Sequence, residues 1–384
     1  MRKLAIITTH PIQYYAPVFK LLAERKRVCV KVFYTLGEVA ASRHDHGFDT
    51  AVSWDIPLLE GYSYEWVENT AGAPGSHHFK GIVNPGICKQ VAAWSPDAVL
   101  FYGWAYSGHL KAMLYFHNKV PVYFKGDSTL LNEPSGVKMG LRYVLLRWVY
   151  RNVDHAFYNG VHNKQYFKKY GLPDECLSFA PHAVDNDRFA LPRREEAMRL
   201  RQSLKVGEDD LLLLYAGKFD PVKNLSLLLT AFIKLNKNNV HLLLAGEGAE
   251  HGKLTSMAVA GGKTDHIHFT GFKNQTDMPV LYQAADLFCL PSSSETWGLA
   301  VNEAMACQKA VLVSDRVGCA ADLVRQGFNG AVFKSDDEAD LLDHLRRLTD
   351  SKEQLKEYGE NSRGIIRDWN FARVAEAIEK KLLS

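Results

Sequence analysis

Two doubly wound parallel-sheet α/β domains are what this sequence predicts, and three observations predict them. The chain has 384 residues, room for two domains at roughly 100–200 residues each. Short apolar runs alternate with helix-length amphipathic stretches from end to end, the pattern of parallel strands covered on both faces by helices. The alternation breaks at residues 185–210, which hold a proline and a charged, helix-like run at 193–204, and then restarts. A single barrel would need eight similar strand–helix units feeding one sheet, and both that break and the irregular stretch at 35–96 speak against it.

In chain order, the runs at 4–8, 28–34, 98–102, 120–124, 156–159 and 177–180 are the strands expected of the first domain. Those at 211–216, 240–245, 267–269, 287–290 and 310–314 are expected of the second, with 185–210 as a linker and 369–383 as a closing helix. The domain limits are set at 1–188, 189–366 and 367–384. Two such domains facing one another make a cleft at the carboxyl ends of their strands, where ligands bind.

Composition excludes several classes. With 47% hydrophobic and 23% charged residues the chain is neither collagen-like nor disordered. No window approaches the ~18 apolar residues of a membrane span. Met1-Arg2-Lys3 and the few apolar residues behind them lack the h-region of a signal peptide, so the opening reads as a cytoplasmic first strand. The six cysteines form no C-x-x-C pair, which argues for buried reduced thiols over zinc ribbons or a disulfide framework. Residues 1–185 carry 20 Lys and Arg against 15 Asp and Glu, and residues 186–384 carry 26 against 28. That balance is too even for a nucleic-acid-binding face and lets the first half meet an anionic surface or acceptor.

Chemistry concentrates at two strand–loop–helix junctions of the second half. After the apolar run 287–290 comes Pro291-Ser-Ser-Ser-Glu295-Thr-Trp297-Gly298-Leu299, and a helix then carries Glu303. A helix opening near Gly298 presents unpaired amides and a positive dipole end, a ready anion site. Glu295 on the loop and Glu303 a turn into the helix can reach different hydroxyls of one ligand; alternatively Glu295 is a cap and Glu303 a solvated helix residue. After the run 211–216 come Gly217 and Lys218, then Lys223 and Asn224. The glycine allows close backbone approach, and two lysines five apart supply the cationic charge a diphosphate needs, unless they are simply solvated.

In the first half, His10 and Gln13 follow the first strand, either in the cleft or closing a turn begun by Pro11. Asp127, after the run 120–124, is either a helix cap or a polar group of the site. Asp185-Asn186-Asp187 has the form of a D-x-D metal motif. The stretch 141–151 sets Arg142, Arg147 and Arg151 among Tyr143, Trp148 and Tyr150, which is either a core helix with snorkelling ends or one laid on a membrane.

Together these features resemble the family 4 glycosyltransferases, retaining enzymes of the GT-B fold. Glu295 and Glu303 match that family's E-x7-E signature, inside a longer match through Asn302 to Asp315 and Gly318 to Gly330. The loop 216–223 is similar to the family's G-R-L-x-x-x-K-G loop, with Lys218 where Arg is usual and Asn224 where Gly is usual. Gly246-Glu-Gly248 and Gly271-Phe272 match loops that border the nucleotide. His10 to Tyr14 match a subset whose chains open with a His-Pro-Ile-Gln-Tyr loop. Many relatives carry a histidine where this chain has Asp127, and the D-x-D lies where the family has its hinge.

The resemblance spans about 177–370 closely and the earlier part more loosely. It implies a nucleotide-sugar-binding second domain, an acceptor-binding first domain, and a closing helix that crosses back to the first. It assigns the donor to Gly217, Lys218, Lys223, Gly246, Phe272, Glu295, Trp297, Gly298, Leu299 and Glu303, and the acceptor side to His10, Gln13 and Asp127. Catalysis falls to Glu295, Lys223, Lys218 and Asp127, with no metal and no cofactor beyond the co-substrate sugar. The partners implied are a nucleotide-sugar donor, a glycan, glycolipid or other hydroxyl acceptor, and a peripheral membrane contact at the inner face, with no nucleic acid. An epimerase of the same fold and a non-catalytic sugar-nucleotide binder are the alternatives.

Overall fold

The structure is a computed structural model that describes residues 1–38, 43–45, 50–52, 54–131, 133 and 137–384. It forms two compact units, one of Met1–Arg43, Ile56–His182 and Phe371–Ser384, the other of His44–Asp55 and Ala183–Asn370.

In chain order the strands are β1 (Lys3–Thr8), β2 (Cys29–Tyr34), β3 (Arg43–Asp45), β4 (Thr50–Val52), β5 (Ser63–Trp66), β6 (Ala98–Tyr102), β7 (Val122–Lys125), β8 (His155–Tyr158) and β9 (Leu177–Phe179). All but β3 and β4, which pair with each other, build the parallel sheet of unit 1 in the order β5-β2-β1-β6-β7-β8-β9. The chain winds outward from β1 to β5, then returns past β1 to β6 and winds the other way. Its register sets Leu4 against both Val30 and Ala98. Inner strands such as β6 are buried along their whole length, which is why they read as unbroken apolar runs.

Unit 2 repeats the plan with β10 (Leu211–Ala216), β11 (Val240–Ala245), β12 (Ile267–Phe269), β13 (Leu287–Leu290), β14 (Ala310–Ser314) and β15 (Gly330–Phe333), in the order β12-β11-β10-β13-β14-β15. Here β10 and β13 are the neighbours at which the winding reverses, with Leu213 beside Leu287. In open α/β sheets ligands bind outside the carboxyl ends of the strands at such a reversal. The reversal points are therefore β1/β6 in unit 1 and β10/β13 in unit 2.

Two expectations are corrected here. The segment expected as a linker is folded into unit 2, where its helix Arg194–Ser203 is held by Arg201. That guanidinium donates to Ala284 O at 2.9 Å, to Asp286 Oδ2 at 3.0 Å and to Asp210 O at 2.7 Å. Burial of the thiols holds for Cys88, Cys289, Cys307 and Cys319, but Cys29 is exposed and Cys176 half-buried. Cys29 stands at the open amino end of β2, which the apolar pattern does not reveal.

The closing helix, Phe371–Leu383, belongs to unit 1. Glu379 on it is fully buried and takes Arg25 Nε at 3.0 Å and Arg27 Nη1 at 3.1 Å. A buried carboxylate stays charged only when paired in this way.

Candidate active site

The strand order of unit 2 explains the central contact. Because β10 and β13 run parallel side by side, the loops that leave their carboxyl ends emerge together. Ser293 N donates to Val222 O at 2.9 Å and ties the two loops. Lys223, on the short turn Pro221–Lys223, then donates from Nζ to Glu295 Oε2. Each side chain keeps about a fifth of its surface exposed, 20% for Lys223 and 19% for Glu295. Glu295 is fixed on its other side by β14's loop, with Glu295 N donating to Arg316 O and Gly318 N to Glu295 O, both at 3.1 Å.

The next helix, Leu299–Ala306, opens on Gly298, whose φ of +97° is a left-handed value that glycine adopts without strain. Its first amides, at Leu299 and Ala300, have no carbonyl one turn earlier to meet. Glu295 does not cap this helix. Glu303 is likewise not a solvated helix residue, since it is 3% exposed and accepts a hydrogen bond from Tyr282 Oη on Oε2 at 2.8 Å. Trp297 donates from Nε1 to Asn302 Oδ1 at 2.9 Å and stacks on Trp369 with ring centres 5.2 Å apart, which anchors the loop between the two glutamates.

The glycine loops close the other flank. A Cβ on Gly246 would stand 1.9 Å from Gly217 O, so the loops after β10 and β11 meet backbone to backbone. Phe219 N donates to Glu247 O at 2.8 Å, and Gly246 N to Gly271 O at 2.9 Å, beside Phe272 in the loop after β12. Lys218 lies in the same β10 loop and its carbonyl accepts from Tyr215 Oη at 2.7 Å.

In unit 1 a second polar cluster forms at the carboxyl end of β7. Asp127 caps no helix, for the next one starts at Val137. Its Oδ2 accepts from Tyr15 Oη at 3.2 Å, and its Oδ1 lies 2.9 Å from His182 Nε2. Burial pushes this carboxyl up, but the imidazole of His182, Lys125 and Tyr15 outweigh it and hold it down at about 2. Lys125 donates from Nζ to Ala180 O at 2.6 Å, and burial brings its ammonium down to about 8, with Asp127 acting against that. Tyr15 ends the loop after β1 that also holds His10 and Gln13, and His10 Nδ1 lies 2.9 Å from Thr9 Oγ1.

No motif in the sequence marks His182, Tyr282 or Tyr15 as a partner. Each meets its carboxylate only through the tertiary fold. The D-x-D is structural in part: Asp185 Oδ1 accepts from Arg188 N at 3.0 Å and caps the helix Asn186–Ala190.

Residues 197–364 match the family described as glycosyl transferases, group 1. The group 1 segment lies wholly within unit 2 and includes every residue that the resemblance assigned to the donor. Over 204 residues the chain is 31% identical to D-inositol 3-phosphate glycosyltransferase 2 of Catenulispora acidiphila, a stretch that is 50% of this chain and 47% of that protein. Over 224 residues it is 29% identical to lipopolysaccharide 1,2-N-acetylglucosaminetransferase of Salmonella typhimurium, covering 55% and 57%. The chain thus spans about half the length of the curated relatives it matches.

Likeness of fold runs further than the group 1 segment. HepE of Anabaena, in a structure with UDP and glucose, superposes with a TM-score of 0.73 at 20% identity over 100% of both chains. Sucrose-phosphate synthase of Thermosynechococcus elongatus gives 0.77 at 18% identity over 99% and 98%. The fold is GT-B, as the motifs implied.

Proposed function

We propose that this chain is a retaining glycosyltransferase of family 4, in the subset that opens with the His-Pro-Ile-Gln-Tyr loop. It moves a sugar from a nucleoside diphosphate to a hydroxyl in glycan or glycolipid assembly, in the cytoplasm at the inner face of the membrane. The observation that carries this reading is the Lys223–Glu295 pair at the β10/β13 reversal, beside the amino end of the helix Leu299–Ala306. The group 1 match and relatives named for transfer to inositol phosphate and lipopolysaccharide support it.

Donor binding falls to unit 2, with Gly217, Gly246 and Phe272 bordering the nucleotide and Glu303, aimed by Tyr282, holding ribose hydroxyls. Lys218, Lys223 and the amides at Leu299 and Ala300 face the diphosphate. As the C1–O bond of the donor breaks, its electron pair passes to the departing diphosphate oxygen. Fixed cations and amides stabilise that charge more in the transition state than in the ground state, so no metal is required. Glu295 holds sugar hydroxyls and steadies positive charge on the ring. The acceptor oxygen bonds to C1 on the face the phosphate leaves, and its proton passes to that phosphate, which preserves the anomeric configuration. Unit 1 supplies the acceptor side through His10, Gln13 and Asp127, with His182 and Tyr15 setting the carboxylate's position.

A panel of nucleotide sugars, beginning with UDP-glucose, tests the donor. A ligand at 100 times its dissociation constant adds about 2.7 kcal/mol of stability, visible as a raised Tm. Donors that bind are then offered sugar and lipid-linked acceptors, and the anomeric configuration of the product is read by NMR. An inverted product removes the retaining assignment, and stabilisation by no nucleotide sugar removes the proposal.

A further inference from the structure

The helix Val137–Tyr150 of unit 1 is half core and half exposed. Leu146, Val149 and Tyr150 are buried, and Tyr143 packs on Tyr170 with ring centres 5.8 Å apart. On the other side Leu141 is 76% exposed, Val144 68%, Leu145 48% and Trp148 43%. At about 3.6 residues per turn these four form one continuous stripe roughly 100° wide. Four large apolar side chains left on one stripe of a helix are a patch rather than scattered exposure, and patches mark interaction sites.

Charge selects the partner. Arg142 borders the stripe on one side, Arg147 and Arg151 on the other, and all three are exposed. No Asp or Glu occurs between Val137 and Arg151. The carboxylate of Glu133, just ahead of the helix, is taken by Lys169 and by Tyr170 Oη. A second copy docked on this stripe through a two-fold axis would bring arginines against arginines with no carboxylate of the helix between them. An anionic bilayer instead accepts the apolar stripe among its acyl chains, the guanidinium groups at its phosphates, and the indole of Trp148 at the boundary. Among the described residues no helix is long and apolar enough to cross a membrane, so the contact is peripheral.

We infer that this helix lies flat on an anionic lipid surface, with Leu141, Val144, Leu145 and Trp148 inserted and Arg142, Arg147 and Arg151 on phosphate. This deepens the membrane part of the function proposed above and rests on none of its transfer chemistry. The test is co-sedimentation of the full chain with vesicles of phosphatidylcholine alone or mixed with phosphatidylglycerol, without donor or acceptor.

Binding is expected on the mixed vesicles and to weaken as salt is raised. The triple variant Leu141→Ser, Val144→Ser, Leu145→Ser should lose roughly tenfold or more in binding while its melting curve stays cooperative, since these side chains are exposed. Arg147→Gln and Arg151→Gln should each cost roughly fivefold at low salt. Equal binding of parent and triple variant, or no binding to mixed vesicles, overturns the inference. So does a concentration-dependent dimer in the ultracentrifuge that the triple variant abolishes. The transferase reading survives each of those failures, because the assay contains no substrate.

Discussion

Lys223 and Glu295 stand 72 positions apart in the chain and share a hydrogen bond. The strand order creates the pair: β10 and β13 are neighbours at the point where the sheet of unit 2 reverses its winding. A cation and a carboxylate placed side by side there can take the two halves of one ligand, phosphate on one and sugar hydroxyls on the other.

Lys223→Ala should weaken donor binding and lower kcat/KM by roughly 10–150-fold, the range of a lost hydrogen bond to a charged group, about 1.5–3 kcal/mol. The fold should survive, because the lysine sits on a turn and Glu295 keeps contact with water. Calorimetry with UDP and steady-state rates check this, and unchanged values for both would take the lysine out of the mechanism.

The clearest strand signals in the sequence come from strands where burial is complete. Strands such as β6 and β10 are buried on both faces and so leave unbroken apolar runs. The edge strands β5 and β15 left no such run. Ser63 and Tyr64 of β5 are exposed, and β15 is four residues beginning at a glycine. The loops that carry the candidate residues of unit 2 were legible because their spacing resembles a family motif. The partners of Glu303, and of Asp127 in unit 1, were not, since Tyr282 and His182 reach them only through the packing of separate elements. The run 193–204 misled because a charged, largely exposed helix reads as a linker, while the hydrogen bonds that fold it in, such as those of Arg201 and Arg193, leave no periodic trace.

Transfer should persist in excess EDTA, since Lys218, Lys223 and the helix amides are proposed to do the work of a divalent ion. Asp185→Ala should then cost about 1 kcal/mol of stability through its lost helix cap and leave the ion requirement unchanged. Activity abolished by chelator and restored by manganese or magnesium would return Asp185 and Asp187 to the site as ligands.

Stability should fall with acid in a window set by buried imidazoles. His109 is fully buried, its Nδ1 2.8 Å from Gly103 O and its Nε2 2.7 Å from Thr35 Oγ1. Burial lowers it from 6.5 to about 4, with the Gly103 hydrogen bond acting the other way. Below pH ~6.5 the unfolded chain takes up a proton that the folded chain refuses until about 4, so stability present above that window is lost across it. For His109 the loss is about 3 kcal/mol. Urea denaturation between pH 7.5 and 4 should show the decline, and His109→Gln, less stable at neutral pH, should show a shallower one. A parent with flat stability across that range would sink this assignment.

Glu295 and Glu303 should separate in their effects. Glu303 is buried against Tyr282, so Glu303→Gln should weaken the bare nucleoside diphosphate as much as the sugar donor, a neutral amide being the poorer acceptor for ribose hydroxyls. Tyr282→Phe should move both affinities in the same direction by less, because it loosens the carboxylate without removing it. Glu295→Gln should leave the bare nucleotide nearly unaffected and lower kcat, since a carboxylate beside the sugar is worth most when the ring carries positive charge. It also removes the charge that Lys223 meets, so Lys223→Ala combined with Glu295→Gln should fall short of the product of the single losses. Calorimetry with UDP set against steady-state rates gives each variant its own signature. Equal weakening of the bare nucleotide by both glutamate variants would mean that the two carboxylates share one task, and the division between ribose and transferred sugar would be wrong.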